Sequence, residues 1–340
     1  MSRNLLLCLT ASSALLGGAA WADVPKVAAD IAPVHSLVSR VMQGVGEPAL
    51  IVPPGATPHE YSLRPSEASA LQASDLVFWI GPDLTPWMND AIQTLAANAS
   101  VTALMEVDGT TELPFREGVL FEAHTHADDD AHDHDEDHGH GDDHGHEDAH
   151  EHDHDHDEKA HDDHGHDHGH GAHDPHAWLS PDNGAVWLNA IAAQLSAADP
   201  DNAGTYNANA AAAREELDAL ITEINTILDP VRGRNFIVFH DAYQYFETSF
   251  GLPASGAISI SDATDPSPAR IAAIQARVKE QDVTCVLSEP QFDPKIVAAV
   301  MDGSEARTGV LDPLGSDLEP GSDLYGAVLR NLAVALADCL

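Results

Sequence analysis

The longest continuous helical pattern in the chain is NAGTYNANAAAAREELDALITEINTIL, residues 202–228, which is rich in Ala and Glu. In its second half the apolar residues recur every three or four positions, as on one face of an amphipathic helix. They are Leu217, Leu220, Ile221, Ile224 and Leu228. Pro200 precedes the stretch and Pro230 follows it, and prolines at these positions predict the two ends of the helix. At about 1.5 Å per residue, such a helix can cross from one lobe of a protein to another.

Short apolar runs alternate with helical patterns on both sides of this helix. Before it, strands are predicted at 26–31, 48–52, 75–80 and 101–105, and helices at 32–44, 66–73, 85–98 and 181–196. After it, strands are predicted at 235–239, 256–260, 283–287 and 308–311, and helices at 242–250, 268–280, 295–301 and 322–338. This alternation is typical of βαβ units with a parallel, covered sheet. The predicted fold class is α/β: two similar lobes, each with a parallel sheet flanked by helices, joined by one long helix.

The N-terminus has the pattern of a secretory signal. Arg3 is followed by an apolar run at 5–20 and by Ala20-Trp21-Ala22, a cleavage pattern that places Cys8 in the removed segment. The run is too short for a comfortable membrane span. The predicted divisions are a signal peptide at 1–22, an N-terminal lobe at 23–199 with a disordered loop at 124–173, a linking helix at 200–230 and a C-terminal lobe at 231–340.

Two cysteines, Cys285 and Cys339, remain in the exported protein. In an oxidising compartment two thiols favour one disulfide. The alternative is a buried thiol at Cys285 and a loose one at Cys339. Neither cysteine has a partner at the short spacing of a zinc site, so neither is expected to bind metal.

A histidine-rich tract interrupts the N-terminal lobe. Residues 124–173 hold 18 of the 22 histidines together with 19 Asp or Glu and one Lys, and too few apolar residues to offset the entropy of ordering them. Imidazole suits zinc, copper and nickel, so weak, exchangeable metal binding is predicted, with a solvated acidic spacer as the alternative. The tract histidines are His124, His126, His132, His134, His138, His140, His144, His146, His150, His152, His154, His156, His161, His164, His166, His168, His170 and His173.

The charge of the chain points to cations as partners. The formal net charge is -41. Nucleic acid is excluded as a partner, because phosphate contact needs clustered Lys and Arg. A negative field instead concentrates cations near the protein.

Four histidines lie outside the tract: His35, His59, His176 and His240. His59 lies in a loop after a predicted strand, His240 directly follows the strand 235–239, and Pro175 stiffens the backbone before His176. Ligands of parallel α/β sheets bind beyond the carboxyl ends of strands, so these three histidines can share a cation between the lobes. Any one of them alone would more often be a hydrogen-bonded structural residue. His35, at the start of a helix, is a weaker candidate as a ligand or as a residue that supports one.

Five motifs follow one another along the chain. They are TPHEYSLRPS at 57–66, DPHAWLSP at 174–181, FHDAYQYF at 239–246, SEPQF at 288–292 and GVLDPLG at 309–315. In this order they resemble the metal-binding cluster of ABC-importer solute-binding proteins, specifically zinc-importer proteins of the ZnuA type. The resemblance covers essentially the whole mature chain. It implies two α/β lobes linked by a rigid helix, Zn²⁺ at their interface, a periplasmic location and delivery to an inner-membrane permease by a protein that we expect to be monomeric.

The resemblance also implies the zinc ligands. By motif they are His59, His176 and His240, and the acidic residue of the last motif is Asp312. Three neutral imidazoles suit zinc better than manganese, which prefers oxygen. Some members place a Glu ligand directly before the first histidine, where this chain has Pro58. The fourth ligand is then Asp312 or a water, and Asp312 either contacts zinc or hydrogen-bonds a ligating histidine.

Two further expectations depend on the motifs. Glu60, which follows His59, is an accessory candidate beside His35. In the family, a cysteine at the position of Cys285 often bridges to the C-terminal helix, which agrees with pairing to Cys339.

Three classes of function compete. The leading one is a periplasmic receptor that binds one Zn²⁺ tightly and delivers it to a permease, which is not an enzyme activity. A zinc hydrolase would use Glu60 as general base, but Glu60 lacks the HExxH spacing that directs such a base at the open metal position. A zinc-storage protein or metallochaperone, with the tract as reservoir, shares every feature except docking to a permease.

Overall fold

The computed structural model describes residues 24–116, 121, 173–259 and 266–340. The predicted signal peptide lies outside the described residues, as does every tract histidine except His173. No helix among the described residues combines the length and apolar character that crossing a membrane requires.

The first lobe is built on a parallel four-stranded sheet in the order β2-β1-β3-β4. Its strands are β1 (Val27–Ala29), β2 (Ala49–Leu50), β3 (Leu76–Trp79) and β4 (Ser100–Ala103). Its helices are α1 (Ala32–Val41), α2 (Pro65–Ala73), α3 (Pro86–Leu95) and, after the tract, α4 (Pro181–Ala198). All residues of β1 and β3 are buried, as expected for inner strands whose two faces are covered by helices.

The second lobe repeats this plan with the sheet order β6-β5-β7-β8. Its strands are β5 (Phe236–His240), β6 (Ala257–Ser259), β7 (Cys285–Ser288) and β8 (Arg307–Val310). Its helices are α6 (Gln244–Phe250), α7 (Pro268–Glu280), α8 (Pro294–Met301) and α9 (Leu324–Cys339). In each sheet the first strand lies between the second and third, so the chain crosses to opposite sides of it. Such a reversal opens a crevice at the carboxyl ends of the strands.

Helix α5 (Ala203–Leu228) joins the two lobes and packs against α4, α1 and α9. Its buried residues are Tyr206, Ala210, Ala213, Leu217, Leu220, Ile224 and Leu228. Helix α9 returns across the molecule to pack against α1 and α5 as well as against β8. The largest cluster of buried apolar side chains therefore runs without a break from the first sheet, through these helices, into the second.

The predicted fold class is confirmed, and every strand and helix predicted among the described residues exists. The expected disulfide is also confirmed: Cys285 at the start of β7 is bonded to Cys339 at the end of α9, with Cα atoms 5.8 Å apart. Closing a loop of 54 residues stabilises the fold by about 4 kcal/mol in the chain-entropy account. The largest error in bounds is at α3, for which fourteen residues, 85–98, are predicted and ten form a helix.

Candidate metal centre

His59 lies in the long loop between β2 and α2 and is half-buried. Gly55 turns this loop with a φ of +80°, a value that side chains rarely adopt. The indole N–H of Trp87 in α3 donates to the carbonyl oxygen of Pro58 at 2.7 Å. The residue before His59 is therefore fixed to the first lobe by a hydrogen bond.

His176 is buried in the segment that leaves the tract and enters α4. The Asp174 carboxylate accepts both the backbone N–H of His176, at 3.0 Å, and its Nδ1–H, at 2.7 Å. Trp178, two residues on, donates its indole N–H to the carbonyl oxygen of Pro313 at 2.9 Å. The imidazole is therefore oriented by Asp174 while its backbone is tied to the second lobe.

His240 ends β5, the strand at which the second sheet reverses direction. Glu289 follows the neighbouring strand β7, and its carboxylate accepts the Nδ1–H of His240 at 2.7 Å. Both side chains are buried. A buried carboxylate on Nδ1 fixes the tautomer and turns Nε2 towards the crevice.

The three imidazoles meet between the lobes. The Nε2 atom of His176 lies 3.4 Å from that of His59 and 3.4 Å from that of His240. Two nitrogens on a tetrahedral zinc ion, each about 2.0–2.1 Å from the metal, are separated by about 3.3–3.4 Å. Among the described residues, these three form the only group of three or more His, Cys, Asp or Glu whose candidate ligand atoms all lie within 4.8 Å of one another.

The carboxylates behind the rings supply the negative charge that a dication requires. Burial raises the pKa of the Asp174 carboxyl to about 7, while the N–H of His176 and the nearby Arg116 guanidinium act in the opposite direction. A cation on His176 would add to these opposing effects and favour the ionised carboxylate. The centre is thus a set of three imidazoles, and each of the two buried ones is hydrogen-bonded to an acid.

A cavity of about 20 Å³ adjoins the imidazoles. Its walls are largely apolar and come from both lobes: Thr57, Pro58, His59, His176, Trp178, His240, Glu289, Gln291, Phe292, Pro313 and Leu314. A space of about 10–15 Å³ is enough for one water. The space beside the imidazoles therefore suits small ligands of the size of a water.

Arg116 crosses from the segment before the tract to the second lobe. Its guanidinium makes a bidentate ion pair with Asp241, the residue after His240, and a second with Glu247 of α6 at 2.7 and 3.0 Å. Phe121 covers the guanidinium, with its ring centroid 3.5 Å away. Burial raises the pKa values of both carboxyl groups, and the Arg116 charge opposes this.

Three further candidate residues are not part of the imidazole cluster. The Asp312 carboxylate accepts the backbone N–H groups of Leu314, Gly315 and Ser316, and is not in the imidazole cluster. Glu60 is exposed and does not line the cavity.

His35 serves a different part of the first lobe. It is buried in α1, where its Nε2 pairs with the carbonyl oxygen of Pro48 at 3.1 Å and its Nδ1 with the Ser39 hydroxyl at 3.4 Å. Burial lowers the pKa of this imidazole, which favours its neutral form. It is a structural histidine, held within the first lobe by these hydrogen bonds.

Two residues that orient the metal-facing histidines were missed in the sequence: Asp174 and Glu289. Asp174 and Glu289 lie within motifs that were identified, but a carboxylate two residues before a histidine gives no indication of which ring nitrogen it meets. Glu289 is 49 residues from His240, and only the pairing of β5 with β7 brings them together. A carboxylate directly after a strand next to the histidine-bearing strand is the signal that could have found it.

Replacing Glu289 with glutamine should weaken zinc binding by about 10–100-fold, the usual cost of losing a carboxylate behind a ligating histidine. The amide keeps the shape but removes the charge that makes Nε2 of His240 a better ligand. Competition titration against a zinc chelator measures the effect, with Asp293→Asn, a half-exposed acid of the α8 N-cap, as the control. Equal affinities for the two variants would contradict the role of Glu289.

Comparison with known proteins gives consistent matches. A family model described as zinc-uptake complex component A, periplasmic (ZnuA) matches residues 27–339. The high-affinity zinc uptake system protein ZnuA of Brucella abortus (strain 2308) is 49% identical over 99% of both chains. The protein of the same name from Paracoccus denitrificans is 45% identical over 100% of this chain and 99% of its own.

The solved structures agree in fold. The crystal structure of a ZnuA deletion mutant with zinc bound matches 93% of this chain and 98% of its own, with a TM-score of 0.68 and 24% sequence identity. At that identity the match bears on the fold alone, and it supports the arrangement of two parallel sheets joined by a long helix.

Proposed function

We infer the function from one premise: this chain belongs to the ZnuA family, the periplasmic component A of zinc-uptake complexes. The protein captures Zn²⁺ with high affinity and delivers it to an ABC importer. The observation that carries this function is the meeting of three imidazole Nε2 atoms, with separations of 3.4 Å, in a crevice between two α/β lobes.

The zinc ion is held by Nε2 of His59, His176 and His240. Their spacing supports this, because it matches the edge of a tetrahedron around zinc. A water occupies the fourth position, since the adjoining cavity has the size of one water and the Asp312 carboxylate accepts hydrogen bonds within its own turn. Neutral nitrogen ligands favour zinc over manganese and magnesium, which prefer oxygen.

The protein is a carrier rather than a hydrolase. Glu60, the only general base that the sequence suggested, is exposed and absent from the cavity wall, so it is poorly placed to activate a water on the metal. A half-buried His59, by contrast, offers a path by which zinc enters and leaves.

Location, partner and domain division belong to the same proposal. The signal pattern at 1–22 and the family support export to the periplasm, and the family supports delivery to an inner-membrane permease by a monomer. The lobes are 23–199 and 231–340, with 200–230 as the link between them. In a pull-down, the zinc-loaded protein should retain the detergent-solubilised permease, and a storage protein should not.

Deleting residues 124–170 should leave one tight zinc site. The deletion removes tract histidines but keeps His173, which pairs with Pro114 at the base of the loop, so a short Gly-Ser linker can close the gap. The tight site depends on fixed loops, whereas the tract lacks a core to fix its ligands. Chelator-competition titration should show fewer weak sites and an unchanged tight one. Loss of the tight site with the tract would assign it to the tract instead.

A further inference from the structure

We propose that Gln291 is a positioning residue for the fourth ligand of the zinc ion: its side-chain carbonyl accepts a hydrogen bond from the metal-bound water and so selects a donor over an anion at that position. The proposal rests on the zinc site described above. It assigns a role in metal capture to a residue outside the three histidines and the acids behind them.

The first observation is a buried acceptor. Gln291 lines the cavity beside the imidazoles, and its Oε1 atom is buried with no hydrogen-bond partner among the residues that the structure describes. Buried polar atoms are nearly always paired, so an exception next to a metal site indicates a group that is present when the site is loaded. The water on zinc is such a group.

The second observation identifies which end of the amide is already bonded. The Ser316 hydroxyl donates to the Asp312 carboxylate at 3.3 Å, because a carboxylate can only accept. Ser316 Oγ therefore accepts from Gln291, whose Nε2 lies 3.0 Å away. The NH₂ end of the amide is held by this chain of hydrogen bonds, which leaves Oε1 as the end available to a ligand in the cavity.

This chain of contacts also explains Asp312. Its carboxylate accepts three backbone N–H groups, which fix the turn that carries Ser316. Asp312 thus acts on the centre through Ser316 and Gln291 rather than by binding the metal. The centre thus uses the Gln291 carbonyl, which holds a water, in place of a direct contact between the Asp312 carboxylate and the metal.

The third observation is the character of the cavity. Its volume of about 20 Å³ suits one water, and the walls around Gln291 include the apolar side chains of Phe292 and Leu314. A water bound to a dication is a strong donor, since the metal lowers its pKa. Bound between zinc and Oε1, it has two partners. Chloride or azide has no proton to give, and its negative charge would face the lone pairs of the carbonyl.

The test uses Gln291→Leu, which keeps the bulk and removes the acceptor, and Ser316→Ala, which releases the amide. The full-length protein is loaded with Co²⁺, whose visible absorption reports the ligand set, and titrated with azide. We expect the Gln291→Leu protein to bind azide about 10-fold more tightly than the parent protein and to bind zinc about 10-fold more weakly. Both factors are at the lower end of the losses in metal affinity caused by changing residues that support metal ligands. The Ser316→Ala substitution should change the azide affinity and the zinc affinity in the same directions, but by smaller factors.

The control is Gln275→Leu, in which the lost amide is exposed and bonds the carbonyl oxygen of Ala299 away from the centre. Circular dichroism checks that each variant is folded; if Gln291→Leu is not, Gln291→Asn replaces it. Parent-like azide binding in a folded Gln291 variant that still loads Co²⁺ overturns this proposal alone. Failure of the parent protein to bind zinc or Co²⁺ overturns the zinc site itself, and this proposal with it.

Discussion

Replacing His240 with alanine should lower the zinc affinity by more than about 100-fold. Losing a residue that only supports a metal ligand lowers the affinity by up to about 100-fold, and losing the ligand itself should have a larger effect. His240 supplies one of three nitrogens and is the only one of them on the second lobe. Its loss leaves His59 and His176 as a two-nitrogen site. It also leaves the buried Glu289 carboxylate without the imidazole N–H that it accepts at 2.7 Å.

The measurement is zinc competition with a chelator of known affinity, made in the protein that lacks residues 124–170 so that the weak sites do not contribute. His173→Ala is the matched control, because the side chain of His173 is 41% exposed and lies outside the imidazole cluster. Its affinity should equal that of the parent. If the His240 variant kept the parent affinity, zinc could not be bound between the two lobes.

Replacing Arg116 with alanine should destabilise the protein by roughly 3–5 kcal/mol, the cost of breaking a buried ion pair by removing one partner. The substitution leaves Asp241 and Glu247 buried without their shared cation. Burial already raises the pKa values of both carboxyl groups, and without Arg116 these values should rise further. Part of the cost is then relieved by proton uptake.

Chemical denaturation at neutral pH measures the change in the free energy of unfolding. Arg330→Ala is the control: its ion pair with Glu223 is about half exposed on both sides, and such pairs contribute roughly 0–1 kcal/mol. Adding Asp241→Asn and Glu247→Gln to an Arg116→Met variant should restore part of the loss, because no charge then remains unpaired. A loss no greater than that of Arg330→Ala would show that this network does not stabilise the fold.

The sequence predicts the elements well and the contacts between them poorly. The alternation of apolar runs with helical patterns predicts both sheets, since local patterns set which segments are strands. It also places His59 in a loop after a strand and His240 at the end of one. The order of strands in a sheet is not local, so the approach of Glu289 to His240 across β5 and β7 could not be read from the chain.

The position of Asp312 outside the imidazole cluster depends on a different kind of contact. Its place in a motif identified an acid near the metal, but the use of that acid depends on the turn after it. Gly315, with a φ of +72°, lets the backbone curl so that three N–H groups reach the carboxylate. A motif identifies the residue type, whereas the conformation of the turn determines whether the carboxylate oxygens face the ion or accept backbone N–H groups.

The crossing of α5 and α9 between the lobes has a consequence for how the protein unfolds and moves. A core that continues through both sheets couples their local opening, so slow hydrogen exchange should extend across both halves as one cooperative unit. Large hinge rotation would break this shared unit. The low-cost motions are those of the loop that bears His59, the least buried of the three metal-facing histidines. Cargo exchange then becomes a matter of local fluctuation in one loop rather than of lobes swinging apart.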